Sequence, residues 1–348
     1  MGLRLPTNMK FASLMDLSLH GITLVEAGSV HLLARLVSSA SCPRLHKLRM
    51  SHICLLGFEE ETMRIEADVL SELSLRSFNV VALELRTPHL HVLHIDRCIQ
   101  RVFRASAPRL EELMIVYALG HTPRLVEVDG DFPCVRRLKI CLWPHRPPRL
   151  IGTAEAMNDA STHILKLCNN ATCLDVNIDG QKGSKDVEIL KSMVPHIPHV
   201  TSLTMNVFIS ISTILHDFGA SATPLLTRFI NLRCLSIHLS FYRYPFYMGR
   251  VQLDLECDHQ DHWISNEISM SHLQEVKLTG LIGTDCELWF MKNVFASARG
   301  IRKVEINFDP AEYLQHQVKM HMDAFEHMLL NEGMWNSHRD ALKLTYHK

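Results

Sequence analysis

Neither sign of charge is in surplus in this 348-residue chain. Lysine and arginine total 36, aspartate and glutamate total 37, and the formal net charge at pH 7 is -1. Proteins that bind a nucleic-acid duplex usually carry a basic surplus, because their phosphate contacts use cations, so no nucleic-acid partner is expected. Hydrophobic residues make up 47% of the chain, which is enough for a large core and excludes wholesale disorder.

Long apolar runs are absent too. No stretch of about 18 uninterrupted apolar residues occurs, so no membrane span is expected. The first ten residues lack the apolar core of a signal peptide. The 10 cysteines form no C-x-x-C pair, and dispersed cysteines of this kind are typical of reduced, buried thiols. We therefore expect a cytoplasmic or nuclear location, although no Lys/Arg cluster marks a nuclear import signal.

Motifs for catalysis and phosphate binding are missing as well. The sequence contains no G-x-x-x-x-G-K-[ST], G-x-G-x-x-G, G-x-S-x-G or H-E-x-x-H pattern, so we expect no enzymatic activity and no cofactor. Two histidine segments are candidates for metal ligands, His89-x-His91 and the polar stretch 258–262. No third ligand can be assigned to the first, and Asp and His are ordinary in a polar loop, so no metal site is expected.

A short apolar phrase recurs along the chain. It reads apolar-x-x-Leu-x-apolar, as in Leu45-x-x-Leu48-x-Met50, with Val in place of the central Leu in the last two copies. The spacing between successive copies runs from 20 to 41 residues, and they begin at Leu14, Leu45, Leu70, Leu90, Leu110, Val135, Ala171, Val200, Leu232, Leu273 and Ile301. Several copies follow a proline two residues earlier, namely Pro43, Pro88, Pro108, Pro133 and Pro198.

The phrase predicts a strand with one buried side, because its second half alternates apolar and variable residues. The preceding proline has no N–H to donate and fixes where the strand begins. Leucine-rich repeats have about 20–29 residues, and longer spacings allow insertions. We therefore predict an α/β solenoid, a leucine-rich-repeat horseshoe-like arc in which each coil packs on its neighbours.

The other side of each coil is predicted to be mixed. Between residues 63 and 115 apolar pairs recur about every ten residues, so each 20-residue coil there has two strands, one per side. Elsewhere the second side has helical spacing, at 30–40, 154–168 and 186–194. The outer side of the arc is therefore expected to contain both strands and helices.

Strand alternation also predicts which residues face outward. The residue between the last two apolar residues of a copy lies on the concave side, which is the usual binding surface of a solenoid. We call these positions the central row, and the candidates are Arg49, Ser74, His94, Met114, Lys139, Thr204 and Ser236. Their mixed chemistry favours a protein partner, whose identity the sequence leaves open, although each is also compatible with an ordinary solvated strand position.

The texture changes from about residue 256. A strand at 273–278 precedes a helix with the capping box Thr284-x-x-Glu287, and a strand at 301–306 precedes a second helix that begins near Asp309. The open end of a solenoid would expose its core, so a terminal cap is required. We predict a solenoid at 1–255 and C-terminal repeats with a strand–helix cap at 256–348.

This C-terminal section resembles the FBD motif that ends many plant F-box/leucine-rich-repeat proteins. The similarity rests on 272–283, on Glu287, Phe290 and Met291, and on 304–306, and the repeat at 107–113 is also similar to that family. The resemblance implies a leucine-rich-repeat fold. It also implies a non-catalytic protein that presents a target to an SCF ubiquitin ligase.

Members of that family normally begin with an F-box, the helical segment that docks on the SCF adaptor subunit. This sequence opens almost directly in the repeat at Leu14, so we expect the F-box to be missing. Binding to the SCF adaptor is then expected only if an F-box lies upstream. The alternative is a stand-alone leucine-rich-repeat adaptor with no ubiquitin-ligase link. A third hypothesis, of another class, is an enzyme or metal protein with its site in the loops.

Overall fold

The protein is a mostly sheet, largely parallel α/β arrangement with few helices in its described part, and its sheets do not close into a barrel. The computed structural model describes residues 10–24, 28–55, 62–78, 80–98, 101–116, 127–142, 154–180, 194, 196–210, 222–223, 225–242, 269–282, 285–309, 319, 322–323, 334–338 and 341–348. The chain divides into two compact units. The first comprises Met1–Cys141 and Pro148–Ala171, and the second comprises Leu142–Pro147 and Thr172–Lys348.

The first unit contains two parallel sheets. Its elements are β1 (Asp16–His20), β2 (Thr23–Leu24), α1 (Ser29–Leu36), β3 (Lys47–Leu55), β4 (Thr62–Glu66), β5 (Glu72–Phe78), β6 (Ala82–Arg86), β7 (Val92–Asp96), β8 (Val102–Ser106), β9 (Glu112–Val116), β10 (Glu127–Asp131), β11 (Arg137–Leu142) and α2 (Ala154–Leu167). The first sheet has the order β1-β3-β5-β7-β9-β11, and the second has the order β10-β8-β6-β4. Every pair in both sheets is parallel, and β2 adds a short parallel pair to β3.

Successive strands from β3 to β11 alternate between the two sheets, so one coil contributes one strand to each. This confirms the two-stranded coils that the sequence predicts between residues 63 and 115. The sequence analysis did not name β8 and β10, where Phe103 and Val128 supply the buried side chains. Both sheets bury one set of alternate residues, such as Leu83 and Leu93 at 1% and 0% exposure, so the two sheets enclose a common core.

The second unit contains a single sheet. Its elements are β12 (Cys173–Gly180), β13 (Ser202–Ser210), β14 (Cys234–Tyr242), β15 (Glu275–Leu281), α3 (Asp285–Ser297), β16 (Lys303–Phe308), β17 (Met334–His338) and β18 (Lys343–His347). Strands β12 to β16 pair in sequence order and are parallel, whereas β18 pairs antiparallel with both β16 and β17. The sequence analysis did not predict β17 and β18, and the described part of the C-terminal cap therefore contains antiparallel strands.

The helices agree in part with their predictions. Helix α2 occupies almost the whole of the predicted segment 154–168, and α1 ends at Leu36 rather than continuing to residue 40. Helix α3 follows the predicted capping box, and the buried Glu287 carboxylate accepts the backbone N–H of Ile282 at 3.2 Å. The predicted helix at 186–194, apart from Val194, and most of the helix after Asp309 lie outside the described residues.

The apolar phrase forms a strand in each of its eleven copies. From the copy at Leu45 onward, all three apolar residues of every copy are at most 2% exposed. In the copy that begins at Leu14, which supplies β1 at the edge of its sheet, the three leucines are only half-buried. Many copies follow a tight turn that the first phrase residue closes, as when the Leu90 N–H donates to the Thr87 carbonyl at 3.0 Å. Pro88 is the second residue of that turn, a position that proline favours because its φ is already fixed.

The same pair of backbone hydrogen bonds links successive copies. The carbonyl of the second phrase residue accepts the N–H groups of the second and third residues of the next copy. For example, the Ser71 carbonyl accepts His91 N–H at 2.9 Å and Val92 N–H at 3.1 Å. We call these acceptors the shared carbonyls; they are Met15, His46, Ser71, His91 and Glu111 in the first unit and Thr172, Thr201, Arg233 and Gln274 in the second.

Several copies leave their strand through a residue with positive φ. Gly21, His52, Ser77 and Arg97 hold this same place in four successive copies, with φ from 49° to 64°. Gly280 holds it in the second unit with φ of 78°, where β15 forms a bulge between Thr279 and Leu281. These left-handed residues end the regular pairing of each strand at the same position.

Candidate functional site

The outward face of the first sheet is the candidate binding surface of the first unit. Parallel sheets are usually buried on both faces. Here Leu93 and Ile95 of β7 are buried, while the alternate residues Val92, His94 and Asp96 keep intermediate exposure. The same pattern holds in β5 and β9. One face of this parallel sheet therefore retains contact with solvent.

The central row forms straight lines across the strands of each unit. In the first unit the register aligns Arg49 with Ser74, Ser74 with His94, His94 with Met114, and Met114 with Lys139. In the second unit Thr204 and Ser236 are aligned on β13 and β14. Neighbouring residues of such a row are about 4.8 Å apart, because that is the spacing of paired strands. The register therefore places the sequence-predicted positions side by side within each unit.

A second row, two residues before the central row, carries charges that neutralise one another. Lys47 Nζ lies 2.8 Å from Glu72 Oε1, and Arg137 Nε lies 3.0 Å from Glu112 Oε2. The other oxygen of Glu112 contacts His94 Nε2 at 2.7 Å. Glu112 thus joins a central-row residue of β7 to a cation of β11. The sequence analysis missed this row, although the alternation places it on the outward face.

Three central-row residues of the first unit have no printed claim on a neighbour's polar group: within the described residues, Arg49, Ser74 and Met114 make no side-chain hydrogen bond or ion pair. Arginine and methionine are enriched in protein–protein interfaces, where a long side chain covers apolar area. Val92 and Val116 add half-exposed apolar surface near Met114. This part of the face combines one uncommitted cation with a small apolar patch.

The outward face of the second sheet differs, because a ladder of ion pairs satisfies its charges. Arg64 lies 2.7 Å from Glu84, and Arg104 lies 3.3 Å from Glu84 and 2.6 Å from Glu127. The hydrogen bond from Arg64 holds the pKa of Glu84 below its ordinary value, and Arg104 acts in the same direction. These groups bind one another, so this face offers a weaker binding surface than the first sheet does.

The central row of the second unit contains more residues than the sequence analysis named. The register adds Asp175, Lys277 and Glu305 to Thr204 and Ser236. Lys343 Nζ donates to Glu305 Oε1 at 2.9 Å, and this hydrogen bond, with a second from Asn307, lowers the pKa of Glu305. The added charges therefore lie at the β15–β16 end of the row and are partly paired.

Two residues after the central row, the second unit presents a row of uncharged hydrogen-bonding side chains. We call it the amide row; it consists of Asn177, Asn206, His238, Thr279 and Asn307 on β12 to β16, in continuous register. Asn206 Nδ2 donates to Asp175 Oδ1 at 2.5 Å and to Asn177 Oδ1 at 3.0 Å, and His238 Nδ1 contacts Thr279 Oγ1 at 2.5 Å. The sequence analysis missed this row as well.

The residues considered as metal ligands have other contacts. His89 Nδ1 lies 2.6 Å from the Asp68 carbonyl oxygen, and His91 Nδ1 lies 3.2 Å from Glu111 Oε1. Among the residues that the structure describes, no three His, Cys, Asp or Glu side chains are grouped to hold a metal ion. The second candidate segment, 258–262, lies outside the described residues.

Two buried cysteines have thiols that stay protonated. Burial raises the pKa of Cys98 and of Cys168 to about 12. A nucleophilic cysteine acts as the thiolate, so neither residue suits nucleophilic chemistry at neutral pH. Both side chains pack as small apolar groups in the core of the first unit.

No protein-family model and no curated protein matches this chain. Within the described part of the chain, no helix has the length and apolar character needed to cross a membrane.

Proposed function

We propose that this chain is a leucine-rich-repeat solenoid that works as a non-catalytic protein-binding module. The observation that carries the proposal is the register of the central row, which lines up outward side chains on a parallel sheet face that stays in contact with solvent. In a solenoid the extended face formed by successive coils is the surface that binds partners.

Support for the repeat architecture comes from the equivalence of the copies. Each shared carbonyl holds the same two N–H groups of the next copy, whether the copies are 20 or 41 residues apart. Chance recurrence of Leu-x-x-Leu would not place the same backbone atoms in the same contact. The copies therefore behave as one structural unit repeated along the chain.

Support for a protein partner comes from the chemistry of the face. The cations of the first unit's face are largely paired, as Lys47 is with Glu72 and Arg137 is with Glu112, which disfavours a phosphate-rich ligand. Arg49 and Met114 are residue types that protein interfaces favour. A mixed polar face with a small apolar patch fits the surface of another folded protein.

We extend the proposal to the ubiquitin system on the strength of the family resemblance. As a relative of plant F-box/leucine-rich-repeat/FBD proteins, the chain would supply the target-binding part of an SCF substrate receptor. The residues of the FBD resemblance that are described lie in β15, α3 and β16, where Phe290 and Met291 are buried and Glu287 bonds to the backbone. The alternative remains a stand-alone leucine-rich-repeat adaptor.

The binding face can be tested by site-specific photo-crosslinking. A photoreactive residue is placed at Ser74 on the central row or, as the control, at Arg86, which is exposed on the second sheet. A target that crosslinks from position 74 is then purified and its affinity is measured. We expect Arg49→Glu to weaken that affinity at least tenfold and Arg86→Glu to change it by less than about twofold, since rim and unrelated surface charges contribute little. Equal crosslinking from positions 74 and 86 would contradict the proposed face.

The ligase link needs a separate experiment. The purified 348-residue chain is mixed with the purified SCF adaptor subunit, alone and fused behind an F-box from a family member. Binding of the fusion together with ubiquitination of the crosslinked target would support the receptor role. Failure of the fusion to promote ubiquitination of a target that it binds would favour the stand-alone adaptor.

A further inference from the structure

We propose that the amide row of the second unit binds an extended polypeptide segment through the backbone of that segment. This inference rests on the proposed protein-binding function and names the form of the partner. The segment would run along the row, across β12 to β16, with its peptide groups bonded by the side chains of Asn177, Asn206 and Asn307.

The side-chain amide is the chemical equivalent of a peptide group, because it has one acceptor oxygen and one N–H donor group. Asn206 uses Nδ2 to bond Asp175 and Asn177, and among the described residues its Oδ1 accepts no hydrogen bond. Asn177 uses Oδ1 in that contact, and its Nδ2 donates to no described group. Adjacent strands therefore present one open acceptor and one open donor.

Charge complementarity also favours a backbone ligand. The row is uncharged from β12 to β16 when His238 is neutral, and the nearest carboxylate, Glu305, is already bonded to Lys343 at 2.9 Å with Lys277 at 4.0 Å. A phosphorylated or strongly charged segment would find no unpaired counter-charge within this row. The peptide backbone is neutral and alternates donors with acceptors, so it matches the row.

The length of the row sets the length of the segment. Five strands span four gaps of about 4.8 Å, or roughly 19 Å, and an extended chain rises about 3.3 Å per residue. The row therefore covers about six residues. Asn206, His238, Thr279 and Asn307 keep intermediate exposure, so their side chains are accessible to such a segment.

The experiment starts from a phage-displayed library of random heptapeptides, panned on the full chain. A selected peptide is synthesised in its ordinary form and with alternate backbone amides N-methylated, which removes N–H donors but keeps the side chains. Affinities are measured for the wild type, for Asn206→Ala, for Asn307→Ala, and for the matched control Asn293→Ala on α3. Two row variants are used so that one poorly folded protein does not decide the result.

We expect N-methylation, Asn206→Ala and Asn307→Ala each to weaken binding by about tenfold, as loss of one or two hydrogen bonds would. Asn293→Ala should change the affinity by less than about twofold. Failure to select a peptide, or equal binding of the N-methylated peptide, would overturn the inference. A peptide that Arg49→Ala releases and Asn206→Ala does not would also overturn it, while the proposed protein-binding function would stand.

Discussion

Replacement of Gly280 by alanine should be among the most destabilising single-methyl changes in the second unit. Gly280 has φ of 78° within the bulge of β15, a conformation that side chains other than glycine adopt with strain. A Cβ at this position would overlap the Leu239 carbonyl oxygen and lie 3.1 Å from the carbonyl carbon. The obstacle is backbone of the neighbouring strand, so no side-chain rotation can relieve it.

The magnitude follows from two separate costs. Left-handed backbone costs a residue with a Cβ about 1–2 kcal/mol. Forcing an extra carbon into packed structure typically costs about 1–3 kcal/mol more. The expected loss for Gly280→Ala is therefore about 2–5 kcal/mol, which is large beside a total stability of about 5–15 kcal/mol.

The control is Gly21→Ala in the first unit. Gly21 has φ of 64° at the equivalent position of its copy, but a Cβ there meets no atom within 4 Å. Only the conformational cost applies, so we expect a loss of about 1–2 kcal/mol. The pair separates backbone strain from overlap, because the two glycines share the first property and differ in the second.

Equilibrium urea unfolding measures both effects. The four tryptophans lie in the residue ranges of the second unit, so their fluorescence follows that unit, and far-UV circular dichroism follows the whole chain. A fluorescence midpoint that moves no further for Gly280→Ala than the dichroism midpoint moves for Gly21→Ala would refute the reasoning. The described register between β14 and β15 would then be wrong near the bulge.

Three further predictions use other residues. Ser77→Gly should be neutral or stabilise by up to about 1 kcal/mol, because Ser77 has φ of 49°, whereas Ser74→Gly in the regular part of the same strand should cost about 0.5–1 kcal/mol; a melt in which both variants lose stability equally would contradict the assigned backbone. Glu305→Gln should cost up to about 1 kcal/mol at pH 7. Its folded pKa is lowered, so that contribution is present above the unfolded pKa of about 4.3 and is lost as the pH falls through the folded pKa; a cost that persists at pH 2 would disprove the pairing. In native protein, iodoacetamide should modify the exposed Cys54 and spare Cys98, whose pKa is about 12, and peptide mapping after brief labelling would reveal the reverse order if the burial were wrong.

The strands of the apolar phrase were predictable because the physical signal is local. Leu93 and Ile95 alternate with Val92 and His94, and that pattern fixes both the strand and its outward side. Strand β8 carries the same pattern with Phe103 and Ala105, but a buried alanine gives little hydrophobic contrast, so the sequence analysis passed over it. Strands β17 and β18 depend on antiparallel partners distant in the chain, which no local pattern encodes.

The candidate site was predictable only as positions. Alternation placed Arg49 and Ser74 outward, but it gave no account of which outward residues bind one another. Glu112 joins His94 to Arg137 across three strands, and this arrangement depends on register between copies 20 and 25 residues apart. Asn206 and Asn307 lie beyond the last apolar residue of their copies, where the repeated pattern no longer marks the facing side.

The shared carbonyls make the chain modular in an evolutionary sense. Removal of residues 91–110 would bring the N–H groups of Glu111 and Glu112 to the carbonyl of Ser71, which already binds the equivalent groups of His91 and Val92. Gain or loss of a whole coil therefore preserves every contact at the junction. A lineage that carries this fold can lengthen or shorten its binding face by duplication or deletion while the remaining coils keep their register.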